Sequence, residues 1–306
     1  MSKIIGLGET VFDIIFRNDQ PLKAVPGGSA FNAMISIGRT GVPCLMLTEV
    51  GDDHVGDLVT AFLKENNVCT DYVYRHEGTQ SHISLAFLNS RNDAEYQFYK
   101  MYNALNMPEY FPDVEQGDIV LFGSYFAINP KVRSVVRHFL QRAHDKGAII
   151  YYDINFRKSH KKDIPAVLPS IIENMSLSTI VRGSSEDFSI LFECDDPAQT
   201  YEKYIKPSCD VFIYTDADKP VRLFTPAYSG EFPAQKIETV STIGAGDNFN
   251  AGICHAIYGN GIKSPEELRS LSLDDFANLI KRGQQFSSHV CQTLDNYISR
   301  DFAKNI

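Results

Sequence analysis

The chain has 306 residues, 43% of them hydrophobic and 22% charged, with a formal net charge of -9. That composition suits a soluble globular protein with a substantial core, and the acidic balance argues against a nucleic-acid surface. No apolar run approaches the ~20 residues that span a bilayer, and the N-terminus lacks a secretory pattern, so a cytoplasmic location is expected.

In chain order, residues 3–8 read as a short buried strand and 11–16 as a second apolar run, broken by Asn18-Asp19-Gln20-Pro21. Residues 29–41 read as a helix packed through small side chains and ended by Gly41. A strand is expected at 44–50, then a helix at 54–66 with Val55, Leu58, Val59, Phe62 and Leu63 on one face. Residues 72–74, 82–88 and 95–99 look like strands, with Asn89-Ser90-Arg91-Asn92-Asp93 as a hairpin-type break. Strands at 119–122, 148–153, 179–182 and 211–215 then alternate with helices at 131–146, 163–174 and 185–192, and helices follow at 245–258 and 273–294. This alternation implies a mainly parallel sheet covered on both faces, an α/β fold. Such sheets bind ligands at the carboxyl ends of their strands. Gly8-Glu9, residues 155–157 and Thr215-Asp216 all follow expected strands. The six cysteines form no C-x-x-C pair and the eight histidines no H-E-x-x-H, which favours separate thiols over disulfides or zinc.

Two segments carry the chemistry. Ser241-Thr242-Ile243-Gly244-Ala245-Gly246-Asp247 places two glycines and an acid at a helix start. Helix N-termini present unpaired N–H groups and partial positive charge, and small residues let an anion approach them. Asp247 beside that cradle places a proton acceptor near a polyanion, as phosphoryl transfer requires. An ordinary capped helix start would use the same residue types. The second segment is Pro26-Gly27-Gly28-Ser29-Ala30-Phe31-Asn32. Its glycines allow close backbone approach to a ligand. Asn32 offers a donor and an acceptor, and the Asp13 carboxylate could accept two hydroxyl hydrogen bonds. The set suits a polyhydroxylated ligand, although a Pro-Gly turn before a helix explains the glycines equally well. Gly6-Leu7-Gly8-Glu9-Thr10-Val11 fails as a dinucleotide fingerprint because Val11 replaces the third glycine, and no Walker-type phosphate loop is present.

Together these segments resemble the two motifs of the PfkB, or ribokinase-like, carbohydrate kinases. Gly8-Glu9 with Asp13, the run Val50-Gly51-Asp52-Asp53-His54-Val55-Gly56 and the stretch from Leu63 to Val68 extend the resemblance over nearly the whole chain. It implies a single ribokinase-like α/β/α domain over residues 1–306, with a small β lid from about 11–25 and 72–99. It implies ATP-dependent, magnesium-dependent phosphorylation of a sugar hydroxyl. Asp247 would be the base, and the N–H groups of Gly244, Ala245 and Gly246 the anion hole. Asp13, Gly27, Gly28 and Asn32 would hold the sugar. Tyr151-Tyr152-Asp153-Ile154-Asn155-Phe156-Arg157 and Tyr96-Gln97-Phe98-Tyr99-Lys100 resemble the fructokinase-like branch, which adds Tyr99, Lys100, Asn155 and Arg157 to the sugar site. Fructose or a similar free ketose is the expected substrate. A 2-keto-3-deoxygluconate kinase, a ribokinase or nucleoside kinase, and a non-catalytic sugar-binding protein are the alternatives.

Three departures fall on the nucleotide side. Ser241 stands where the family usually has Asp, leaving a monovalent-cation requirement open. Thr215-Asp216-Ala217 lacks the usual glycine of the nucleotide loop. Ser184-Ser185-Glu186-Asp187 replaces N-x-x-E, so either Glu186 or Asp187 could support magnesium through water. Ser184, Thr215, Gly244 and Gly246 are the expected nucleotide contacts. A homodimer through the lid is a further expectation.

Overall fold

The computed structural model describes residues 2–88, 94–99 and 110–306. Its strands are β1 (Ile4–Leu7), β2 (Val11–Arg17), β3 (Gln20–Gly27), β4 (Cys44–Gly51), β5 (Val68–Cys69), β6 (Val73–His76), β7 (Ile83–Leu88), β8 (Ala94–Tyr99), β9 (Ile119–Gly123), β10 (Ile149–Asp153), β11 (Ile180–Ser184), β12 (Val211–Thr215), β13 (Val221–Phe224) and β14 (Ser229–Phe232). The helices are α1 (Ser29–Arg39), α2 (His54–Glu65), α3 (Arg133–Asp145), α4 (Ile164–Leu177), α5 (Ser185–Phe192), α6 (Pro197–Thr200), α7 (Ala245–Gly259), α8 (Pro265–Arg269), α9 (Leu273–Cys291) and α10 (Arg300–Ala303).

Successive residues of the central strands point to opposite faces, and both sets are apolar. Ile4, Ile119, Leu121, Ile149 and Tyr151 join one core with Phe31 of α1, Phe249 of α7 and Phe286 of α9. Ile5, Val120, Phe122, Ile150 and Tyr152 join another with Phe139 of α3, Ile171 of α4 and Phe188 of α5. Burying both faces gives three layers, α/β/α. Among the described residues the large sheet runs β14-β13-β12-β11-β10-β9-β1-β4-β5, with β6 also on β4. Its pairs are parallel from β12 through to β5. At the other edge β12, β13 and β14 pair antiparallel, a short extension not anticipated from the sequence.

A second sheet of order β3-β2-β7-β8 stands apart from the large one. Its central pair, β2 with β7, is parallel. The boundaries expected for a lid need correction at one end. Val73 to His76 pair with Thr48 to Gly51 of β4, so that stretch belongs to the large sheet. The hairpin-type break at 89–93 lies outside the described residues. β3 forms across the segment read as a break, although it carries Pro21 and Pro26. It is an edge strand, where a missing N–H costs no ladder bond. On α2, Val59 and Leu63 are buried as expected, but Leu58 is 41% exposed.

Candidate active site

Two distant segments meet through their side chains. Asn32 lies on the first turn of α1, and its Nδ2 donates to Oδ2 of Asp247 at 2.8 Å, across 215 positions of sequence. Asp247 lies in the first turn of α7. A Cβ on Gly27 would stand 2.5 Å from Asp13 Oδ2 and 3.9 Å from Asn32 Oδ1, so glycine is required for Asp13 and Asn32 to converge there. Gly28 has φ +133°, and a Cβ on it would strike the Glu9 carbonyl. The β3–α1 junction therefore needs its second glycine for both conformation and space. Asn32 is buried, and its Oδ1 has no hydrogen-bond partner among the described residues. A buried acceptor left open in this way favours a ligand that brings a donor.

Both carboxylates are electrostatically unusual. Burial pushes Asp13 up to about 6, against the lowering effects of the Ser84 hydroxyl and the Arg157 charge. Ser84, on β7, donates to Asp13 Oδ1. Burial likewise pushes Asp247 up to about 6. Hydrogen bonds from Asn32 and Ser29 lower it, the charge of Asp153 raises it, and Arg157 lowers it. Arg157 is exposed, yet its field reaches both acids. Asn155 adopts φ +40° and its amide donates to Ser124 Oγ at 2.8 Å. Tyr99 ends β8 with 45% exposure, and Lys100 lies outside the described residues.

The other side of the site is mostly backbone. Gly244 caps α7 with φ +77°, and a Cβ there would lie 2.7 Å from the Asn296 carbonyl oxygen. Of the three N–H groups expected to bind an anion, that of Ala245 donates to the Thr242 carbonyl at 3.2 Å. Beneath Gly246 sits Arg182, whose Nη2 donates to Thr215 Oγ1 at 2.6 Å. Ser241 is buried, and its Oγ accepts the Ile243 N–H at 3.2 Å.

The pairing of Glu186 with Asp187 as interchangeable metal supports needs correction. Asp187 is buried in a capping box with Ser184, accepting the Ser184 N–H at 2.6 Å and hydroxyl at 2.7 Å on Oδ2. Its Oδ1 accepts the Phe156 N–H at 2.6 Å. Both oxygens are thus engaged, Oδ2 in capping α5 and Oδ1 in holding it to the loop after β10, while Glu186 is exposed in the first turn of α5. Asp216, which would repel phosphates, accepts from Ser185 at 2.8 Å and Lys219 at 2.7 Å. Those partners hold its carboxyl below the usual range. Ala217 occupies φ +46°, so the left-handed turn persists without glycine.

Sequence reasoning missed Arg182, Asn250, Ser29 and Ser84. For Arg182 and Ser84 the signal is purely spatial, whereas Ser29 and Asn250 lie in or just after the two singled-out segments and were given no role there. Among the described residues no group of three metal-ligating side chains occurs, and no helix is long and apolar enough to cross a membrane.

Comparison with known proteins supplies the context for this geometry. Residues 1–297 match the pfkB family carbohydrate kinase. The probable fructokinase-6, chloroplastic, of Arabidopsis thaliana is 26% identical over 263 residues, covering 82% of this chain and 68% of that protein. The fructokinase of Xylella fastidiosa with bound ATP superposes with a TM-score of 0.85 at 19% identity, covering 99% of this chain and 97% of the other. The fructokinase of Vibrio cholerae O395 in its fructose, ADP and calcium ion bound form superposes at 0.82 with 16% identity, covering 97% and 94%. The three-layer architecture with its small second sheet is thus the ribokinase-like fold. With the family matched over almost its entire length, the chain belongs to the pfkB family of carbohydrate kinases.

Proposed function

We propose that the protein transfers the terminal phosphoryl group of ATP to a hydroxyl of fructose or a closely similar free ketose. The observation that carries this reading is the Asn32–Asp247 hydrogen bond. It joins an open acceptor and a carboxylate at a helix N-terminus, which supports this reading. Asp13 and Asn32 bind sugar hydroxyls, and Gly27 and Gly28 let the sugar approach the backbone. Asp247 takes the proton of the attacking hydroxyl. Such a base is worth ~10²–10⁴ in rate. The N–H groups of Gly244 and Gly246 receive the migrating phosphoryl, and losing one such donor costs ~10²–10³. Arg157 offsets the negative charge of the two acids and contacts the sugar.

The N-terminus of α7, with Gly244 as its cap and Gly246 in its first turn, offers a nucleotide phosphate backbone N–H groups and partial positive charge. A magnesium ion would be held chiefly by phosphates and water, and Glu186, exposed in the first turn of α5, would be the acid to support it. Bound there, magnesium would neutralise phosphate charge. The named fructokinases, one with ATP and one with fructose, ADP and calcium, support the choice of substrates. The small sheet closes over the sugar and keeps water from the phosphoryl group. Among the described residues β3 and β8 are its edge strands, and a second copy would pair there.

The test is turnover with ATP and magnesium over a panel of ketoses, aldoses, keto-deoxy sugar acids and nucleosides. Fructose should give the highest kcat/KM. Folded protein that turns over none of them defeats the kinase reading, and preference for a sugar acid or a nucleoside defeats the substrate assignment.

A further inference from the structure

Arg182 belongs to none of the motifs, yet it reaches Asp153, Thr215 and the backbone of Gly246. It is 8% exposed on β11. Nη1 donates to Asp153 Oδ1 of β10 at 2.9 Å, and Nη2 to Thr215 Oγ1 of β12 at 2.6 Å. A Cβ on Gly246 would stand 3.1 Å from Nη1 and 3.3 Å from Nη2. The guanidinium thus fills the space that any side chain at position 246 would need. Its carbon lies 6.0 Å from the centre of the Phe249 ring.

The network continues into α7. Asp153 Oδ2 accepts from Asn250 Nδ2 at 2.8 Å, and Asn250 Oδ1 accepts the Tyr151 hydroxyl at 3.0 Å. Gly246 and Asn250 bracket Asp247 on the same helical turn. One planar fork therefore joins three adjacent strand ends to the turn that carries the base. A lysine would present a single ammonium where the site uses two divergent donors.

We propose that Arg182 is a positioning residue that fixes the first turn of α7 against the ends of β10, β11 and β12. Its catalytic consequence rests on the kinase reading above, and its structural consequence does not. The mechanism is geometric. A shift of that turn moves Asp247 and the Gly246 N–H together, whereas the sugar contacts Asp13 and Asn32 lie on β2 and α1.

The experiment compares Arg182→Met and Arg182→Lys in the full chain, by steady-state kinetics and by amide hydrogen exchange. In Arg182→Met, kcat should fall on the order of 10²-fold while the sugar KM stays within about threefold, the pattern of a misplaced reacting group. Amides at 246–250 should exchange ~10-fold faster while those of α9 are unchanged. Arg182→Lys should recover part of kcat, because an ammonium still pairs with Asp153. Unchanged exchange at 246–250, a loss confined to KM, or no recovery by lysine would each overturn the proposal. If Arg182→Met does not fold, Thr215→Val removes one arm alone. It should still speed exchange at 246–250, and its failure to do so overturns the proposal equally. A wild-type chain inactive on every acceptor defeats the kinase reading, while the exchange measurement still judges Arg182.

Discussion

The acceptor side and the donor side of the site are built from different materials. On the proposed acceptor side, Asp13, Asn32 and Asp247 present side-chain atoms, and Asp13 can stand where it does only because Gly27 has no side chain. On the proposed donor side, Gly244 and Gly246 offer only backbone, while Ser184, Asp187 and Asp216 have their polar groups engaged with neighbouring residues. This explains why the departures from the family pattern cluster there. A backbone surface survives side-chain replacement if its conformation survives, and Ala217 at φ +46° holds a turn that glycine would adopt freely. A side-chain site has no such latitude.

The largest test of this contrast is Asp247→Asn. Turnover should fall ~10³–10⁴-fold. Calorimetry should show sugar binding little changed, because the amide oxygen introduced by the substitution can still accept from Asn32. An active variant would remove Asp247 from the role of base. Next in size is Gly246→Ala, whose methyl would press on the Arg182 guanidinium at 3.1 Å. It should lower kcat on the order of 10²-fold by displacing the turn that carries Asp247 and the Gly246 N–H, and a loss of less than tenfold would show that the guanidinium yields without moving that turn.

The pH dependence separates the two sides further. Asp247 and Asp13 are both raised from 3.8 to about 6. Activity that needs Asp247 ionised should fall as pH drops through about 6, and a profile flat down to pH 5 would contradict this. Stability runs the other way. A carboxyl raised on folding favours its protonated form in the native state, so the fold loses stability as pH rises from about 4 to about 6. Asp247→Asn should therefore be more stable than the parent at pH 7, by about 1–2 kcal/mol after allowance for its partial exposure. The difference should vanish near pH 4, and thermal unfolding at the two pH values checks it.

Two smaller effects test the backbone reading of the donor side. Ala217→Gly should raise stability by up to about 1 kcal/mol by relieving left-handed strain, with the ATP KM unchanged. A marked change in KM would mean that the Ala217 side chain itself contacts nucleotide. Ser241 presents a neutral hydroxyl already accepting the Ile243 N–H, so potassium should change turnover less than about threefold, since no carboxylate there offsets a cation's dehydration. A larger activation would require other ligands.

Much of this architecture was legible in the sequence, because hydrophobic period and punctuation are local. The runs at 119–122 and 148–153 announced doubly buried strands, and Gly41 and Gly147 marked helix ends. The pairing of the two glycine-bearing turns was legible only through resemblance, since no local rule links Asn32 to Asp247 across 215 positions. The partner of β6 was not legible: Val73 to His76 has no feature that prefers β4 to the second sheet. Pro21 and Pro26 hid β3, because a proline reads as a break until the strand is known to lie at an edge. Arg182 was invisible for another reason. A lone arginine in a strand carries no sign of burial, and its function exists only where three strand ends and a helix converge.

The parallel pairing of β2 with β7 has a consequence for how the molecule assembles. Phe12 to Arg17 align with Ile83 to Leu88, and α1, β4, α2, β5 and β6 all lie between them in the chain. The second sheet is therefore no autonomous hairpin. Its middle must wait until the intervening chain has been folded back, which makes it a late and entropically demanding step during synthesis and refolding. That sheet should be the last part to form and the first to come apart.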